Sequence, residues 1–330
     1  MGCGAGGRNG SCDLCCNLVV VEQILEPKDG QIGAKKTGAV DVGRYVPAIL
    51  QQLDRIAKKY PTHIYPVASE YFDCGNALYW MSRYDYAIQS YDKAVDIKPD
   101  YHEAWYNRGV ALSALGRNEE AIQSYDKAVD IKPDKYEAWN NRGVALSALG
   151  RNEEAIQSYD KAVDIKLDLH EAWYNRAVGL AVLGRNEEAV QSYDRAVALK
   201  LDFHDAWYNR GKALCDLGRK EEAVQSYDKA VDIKPDDQEA WYNRGVTLYD
   251  LGLYEEALHS YNQALQIQPD FADAYYNKAC CYGLQGKIDL ALEALQHSIT
   301  LDSDCQEIAK TDLAFDRIRN DDRFRALIGE

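Results

Sequence analysis

The stretch from His102 to Lys135, HEAWYNRGVALSALGRNEEAIQSYDKAVDIKPDK, decides how the chain folds, because it is written repeatedly. Between 68 and 305 one 34-residue unit recurs seven times without insertion or deletion, as 68–101, 102–135, 136–169, 170–203, 204–237, 238–271 and 272–305. Tyr71, Trp105, Trp139, Trp173, Trp207, Trp241 and Tyr275 mark one phase of it. A fixed period of this length means a solenoid, in which each unit buries its apolar face only against its neighbours. Stacked units make a long surface suited to another protein rather than a pocket for chemistry.

Within the unit, Asp100 followed by Glu103 is a capping-box-like helix start, recurring at Asp134/Glu137, Asp168/Glu171, Asp202/Asp205, Asp236/Glu239 and Asp270/Asp273. Trp105, Gly109 and Leu112 fall on one helical stripe, and Gly116 ends that helix. Asn118 is the expected cap of a second helix, whose first turn carries Glu119 and Glu120. Ala121, Ile122, Tyr125, Ala128 and Val129 line one side of it, and Pro133 stops it. Gly109 and the two alanines let the helices approach, while Trp105 and Tyr125 fill the space beside them. The product is a helical hairpin with an aromatic core stripe.

These residues resemble the tetratricopeptide repeat family, whose pattern is W-x2-L-G-x2-Y, then A-x3-F, then P. The chain reads W-x2-R-G-x2-L, A-x3-Y and P at Trp105, Arg108, Gly109, Leu112, Ala121, Tyr125 and Pro133. The resemblance implies an all-α fold, an α-solenoid wound as a right-handed superhelix of hairpins. The chain departs from the pattern in three ways. Arg108, Arg142, Arg176, Arg210 and Arg244 stand at a leucine position, where stems are expected to pack and heads to reach water. Leu167 and Leu201 replace the terminal proline, which predicts longer second helices there, and Ala177 and Ala279 replace the close-packing glycine.

The array needs polar covers at its ends. Residues 306–330 carry Phe315, Ile318, Phe324 and Leu327 on an otherwise charged helical stretch and resemble the closing segment of bacterial tetratricopeptide proteins, so they are assigned as capping helices. Residues 43–67 are expected to form an amphipathic helix packed on the array, with Val46, Ile49, Leu50, Leu53, Ile56 and Ala57 on one face. Residues 1–42, rich in glycine and cysteine, are expected to be weakly ordered.

Composition narrows the function. The net charge of −15 makes nucleic acid a poor partner, since phosphate needs clustered cations. No stretch approaches the length needed to cross a bilayer, and a cytoplasmic location with no membrane insertion is expected. Nine cysteines in uneven places do not read as a disulfide framework. No cofactor is implied, and no phosphate loop, ordered triad or metalloprotease motif points to an enzyme.

Three candidate sites remain. The first is the inner face. Counting His102 as position 1, position 6 is Asn107, Asn141, Asn175, Asn209, Asn243 and Asn277, with Asp73 in the first unit. Position 5 is Tyr106, Tyr174, Tyr208, Tyr242 and Tyr276, with Phe72 and Asn140 as exceptions. Asparagine is a poor interior helix former, so six in register need a reason. A carboxamide both donates and accepts, so a column of them can grip an extended backbone whatever its sequence, with tyrosines adding rigid contact area. The column resembles the asparagine ladder in the tetratricopeptide region of O-GlcNAc transferase, a likeness of binding surface only. The same asparagines could instead bond between neighbouring units and tie the stack.

Position 9, with Val110, Val144, Val178 and Val246, and Lys212 as the single base, lacks the carboxylate clamp that chaperone-binding relatives use, so no chaperone tail is expected. An apolar or neutral extended segment fits better, with the acids at position 2 either capping helices or facing a basic ligand edge.

The second candidate is Cys3, Cys12, Cys15 and Cys16, a thiol set that could hold zinc. It supports an alternative reading, a metal-binding or redox-responsive protein whose repeats only position that cluster. The third is a reactive cysteine: Cys215 and Cys280 point to the inner face, with Lys212 one turn from Cys215, while Cys281 sits in the core. The favoured expectation is a scaffold or adaptor holding an extended segment of another protein; self-association of the chain stays open.

Overall fold

Each unit folds into the hairpin that its spacing predicts. The computed structural model describes residues 51 and 64–329, and everything below concerns those residues. The expected weak order of 1–42, the cysteines Cys3, Cys12, Cys15 and Cys16, and most of the expected 43–67 helix lie outside them. The first hairpin is α1 (Ile64–Trp80) with α2 (Tyr84–Ile97), so α1 opens ahead of the first counted unit. Then follow α3 (His102–Ala114) with α4 (Asn118–Ile131), α5 (Tyr136–Ala148) with α6 (Asn152–Ile165), and α7 (His170–Val182) with α8 (Asn186–Leu199). The series continues with α9 (His204–Asp216) and α10 (Lys220–Ile233), α11 (Gln238–Asp250) and α12 (Tyr254–Ile267), and α13 (Ala272–Gln285) and α14 (Ile288–Leu301). It closes with α15 (Asp304–Thr311), a 3-10 turn Leu313–Phe315, and α16 (Asp322–Ile328). No strand occurs among the described residues, and the architecture is an all-α solenoid.

Two glycines make the hairpin in four of the seven units, the second among them. Gly116 adopts φ +72 beyond α3, where its amide donates to the Ser113 carbonyl at 2.9 Å and the Arg117 amide to the Leu112 carbonyl at 3.0 Å. That double bond closes the helix end and reverses the chain, a turn that requires the left-handed region. Gly109 allows the close crossing: a Cβ there would sit 2.6 Å from Cε1 of Tyr125. Tyr125 and Leu112 are thereby fully buried, each contributing about 1.5–3 kcal/mol relative to exposure. In the seventh unit Ala279 replaces the glycine and Leu295 the tyrosine, and both remain buried. The smaller ring-less partner makes room for the extra methyl group.

First helices of successive units pack directly on one another at most junctions, whereas second helices contact mainly their own partner and the next first helix. An array whose first helices lie closer together curves toward them, so the first helices line the inner face.

Three expectations are corrected. The arginine heads are not free in water but held by partners at a partly exposed junction. Arg108 Nε donates to Asp92 Oδ1 of the preceding unit at 2.6 Å and its Nη1 to Ser124 Oγ of its own unit at 2.6 Å, while the guanidinium lies 5.9 Å from the Trp105 ring centre. The same latch recurs at Arg142, Arg176, Arg210 and Arg244, joining Asp126, Asp160, Asp194 and Asp228 to Ser158, Ser192, Ser226 and Ser260. Capping also differs. Helices begin one residue later than the Asp/Glu pattern suggested, and the residues that precede α3, α5, α7, α9 and α13 make no side-chain cap. Asp237 does cap α11, accepting from the Glu239 and Ala240 amides. Asn118 lies inside α4 rather than capping it.

The leucines at 167 and 201 do not lengthen their helices: α6 and α8 span 14 residues, as α4 does. What holds the turn is the next tryptophan, since Trp173 and Trp207 Nε1 donate to the Leu167 and Leu201 carbonyls at 3.0 Å, as Trp105 does to that of Pro99 at 2.9 Å. Proline is therefore dispensable there. The closing stretch is helical in short pieces. It breaks after Thr311, where Arg319 donates to the carbonyls of Lys310 and Asp312, and it buries Phe315, Ile318, Phe324 and Ile328 with Leu327 only half-buried.

Candidate functional site

The inner face is built from what each first helix presents opposite its buried Gly–Leu stripe. Positions 5, 9 and 13 follow one another at one-turn spacing, with position 6 beside them. The asparagines are half-buried and tie successive units. Asn141 Nδ2 donates to Tyr106 OH at 3.1 Å, Asn209 to Tyr174 OH at 3.1 Å, Asn243 to Tyr208 OH at 2.9 Å and Asn277 to Tyr242 OH at 3.0 Å. Where the preceding unit lacks the tyrosine the tie changes partner: Asn175 reaches Asn140 Oδ1 at 3.5 Å, and Asn107 reaches Asn76 Oδ1 at 2.8 Å. The inter-unit role weighed from the sequence is thus real, and asparagine and tyrosine act as one pair across the junction. A primary amide has two N–H groups and a carbonyl oxygen, so this tie takes one of its two donors.

The tyrosines are fixed from behind. Tyr106, Tyr174, Tyr208 and Tyr242 each pack 6.0 Å, centre to centre, from Tyr125, Tyr193, Tyr227 and Tyr261 of their own second helices. Burial pushes the hydroxyls of Tyr106, Tyr174 and Tyr242 above the ordinary phenol value, and burial followed by the Glu239 carboxylate pushes Tyr208 up to about 12. They stay protonated at neutral pH. A hydroxyl that accepts from an asparagine still holds its own proton to donate, as Tyr208 does toward Glu239 Oε2 at 3.3 Å.

Position 9 is open in the middle of the array. Val144 is 46% exposed, Val110 and Val178 are half-buried, and Val182 at position 13 is 67% exposed. Lys212 is exposed with its ammonium 5.7 Å from the Tyr208 ring centre, so it rests on that ring. Acids at position 2 have local partners: Glu137 pairs with Lys135 at 3.4 Å and Asp205 with His204 at 2.9 Å.

The face ends at the seventh unit. Tyr276 OH donates to Asp312 Oδ2 at 2.8 Å, Cys280 Sγ lies 3.7 Å from the same oxygen, and the Ala314 carbonyl lies where a Cβ on Gly283 would be only 2.6 Å away. Tyr276 therefore faces the closing segment and is set apart from the other tyrosines. Burial, then the Asp312 carboxylate, raises the Cys280 thiol far above its ordinary value, which opposes a reactive thiolate. Cys215 Sγ lies 3.3 Å from Thr247 Oγ1, and Cys281 is buried as expected. Among the described residues no group of three or more His, Cys, Asp or Glu is placed to hold a metal, and no helix is long and apolar enough to cross a membrane.

Two features escaped the sequence reading. The aspartate and serine of the latch recur at the arginine's own period, sixteen residues before and after it, a signal available in the repeat. The contact between Asp312 and Tyr276 had only a faint trace, the glycine at 283 where the second unit has Ser113.

Repeat-family models match most of the array. One described as TPR repeat matches 75–116, 111–150, 180–218 and 211–252, and one described as tetratricopeptide repeat matches 136–167, 239–271 and 272–305. No curated protein matches the chain. Among solved structures, the chain is similar to YrrB, described as a TPR protein with an unusual peptide-binding site, with 25% identity and TM-score 0.53 over 57% of this chain and 99% of that one. The C-terminal part of a TPR repeat-containing protein from Cytophaga hutchinsonii aligns with TM-score 0.61 at 17% identity, over 75% of this chain and 99% of that one. A tetratricopeptide repeat protein from Parabacteroides merdae aligns with TM-score 0.52 at 17% identity, over 74% of this chain and 97% of that one. The last two bear on the fold alone.

Proposed function

Starting from a chain that belongs to the tetratricopeptide repeat family, we propose that it is a protein-interaction scaffold whose inner face holds an extended segment of another protein. The second N–H groups of Asn107, Asn141, Asn175, Asn209 and Asn243 would serve the segment's carbonyls, with the proton-bearing hydroxyls of Tyr106, Tyr174 and Tyr242 beside them and the Tyr208 ring adding contact area. Val110, Val144 and Val178 would take its side chains. Tyr276, bonded to Asp312 of the closing segment, contributes least, and Asn277 stands beside it at the end of the column.

The observation that carries this reading is the repeated asparagine–tyrosine pair, held rigid by the second-helix tyrosines and set next to exposed valines. The unusual peptide-binding site described for YrrB supports it by analogy. Binding by backbone groups leaves the reaction class empty: the face positions, and does no chemistry.

An array of immobilised random peptides tests it, probed with the wild type and with the combined Asn141→Ala, Asn175→Ala and Asn209→Ala variant. Circular dichroism would show both to be helical at the assay temperature. Each lost hydrogen bond is expected to weaken binding by about 0.5–1.5 kcal/mol, so the triple variant should lose most of its signal. Undiminished binding by a folded triple variant would assign the asparagines to the stack alone.

A further inference from the structure

We propose that the segment is aliphatic with basic flanks, and that it seats on the third and fourth units. This rests on the inner-face reading and specifies its ligand. The ladder has one gap. Asn140 stands where neighbouring units carry Tyr106 and Tyr174, so a whole ring is missing from the column, and the tie across that junction is the longest of the six, 3.5 Å from Asn175 to Asn140. One turn from the gap lies Val144, followed on the next helix by Val178 and Val182. Two of these three are well exposed, at 46% and 67%. Aliphatic side chains held at the water-facing side of a groove gain from burial by a partner.

Exposed carboxylates outnumber exposed ammonium groups beside this patch. Glu171 and Asp205, in the first turns of α7 and α9, are exposed, and Asp216 at the end of α9 is exposed as well. The two lysines here are engaged: Lys135 pairs with Glu137 at 3.4 Å over the Tyr106 ring, and Lys212 lies against the Tyr208 ring. An acidic segment would meet three carboxylates here, whereas a basic one is drawn to them, and the chain's net charge of −15 adds to that attraction. An extended strand projects alternate residues to one side. The matching ligand therefore alternates Val or Leu, facing the gap and the valines, with Lys or Arg facing the carboxylates.

Three fluorescent peptides of equal length test this by anisotropy on the full chain: alternating Leu/Lys, alternating Leu/Glu, and alternating Ser/Lys. Leu/Lys is expected to bind about tenfold or more tightly than either of the others. Val144→Asn with Val182→Asn should remove about tenfold of that affinity, and Glu171→Gln with Asp205→Asn several-fold at low salt, a difference that shrinks as salt screens the carboxylates. Preference for Leu/Glu, lost in the triple asparagine variant, would keep the inner-face reading and overturn the basic ligand. Equal binding of Ser/Lys, or binding insensitive to the valine pair, would reduce the effect to bulk charge attraction and overturn the aliphatic seat. Failure of all three peptides overturns the proposal, and the random array then judges the inner face separately.

Discussion

Two neighbouring residues of the same helix, Asn141 and Arg142, both reach across to the preceding unit, and they do so in different ways. The arginine makes a charged bond to Asp126 at 2.6 Å, another bond to Ser158 and a face contact with Trp139, and five units repeat the arrangement almost without variation. The asparagine makes a neutral bond of 3.1 Å to a tyrosine, and elsewhere its partner changes to another asparagine when the tyrosine is missing. The latch side is redundant and uniform. The inner side is lightly tied and variable, and variation is tolerable where a surface is tuned to a ligand instead of to the stack.

Alkaline pH should separate the two sides most strongly. The inner ties run through tyrosine hydroxyls, and buried tyrosines such as Tyr159 and Tyr208 have their hydroxyls raised to about 12. A folded value above the unfolded one gives stability that is complete below pH about 10 and lost as pH rises through about 12. Helix content by circular dichroism should collapse over that window as tyrosinate absorbance rises. Ionisation of the tyrosines well before helix loss would mean the hydroxyls carry little of the stack.

Next in size is Arg142→Ala, expected to destabilise by about 2 kcal/mol, from a lost charged hydrogen bond and ring contact. The upper end of that range is discounted because Asp126 is 44% exposed and screened. Asn141→Ala should cost about 0.5–1 kcal/mol in the same urea titration. If the asparagine proves the costlier of the two, the division between latch and ladder is wrong. Smallest of all, Val182→Asn should change stability by less than about 0.5 kcal/mol, as an exposed position touching no core group.

Much of this was legible in the sequence because repetition averages out local ambiguity. Gly109, Gly116, Leu112 and Tyr125 read correctly as turn and core since each had five or six copies to define its role. Arg108 was misread because a long side chain at an apolar position has two physical options, solvent alone or a hydrogen-bonded partner. Only the Asp and Ser at its own period, on helices the hairpin brings together, choose between them. Capping was overread for a related reason: Asp100 and Glu103 fit a pattern, but the chain enters α3 through Tyr101, whose backbone is already anchored by Trp105. The closing contact at Asp312 occurs once, so no periodicity advertised it.

Hydrogen–deuterium exchange on the full chain, with and without saturating Leu/Lys peptide, tests the central claim most directly. The account predicts added protection in α3, α5, α7 and α9, strongest around 140–148 and 174–182, with the second helices unchanged. Protection confined to the second helices or to the ends of the array would contradict it.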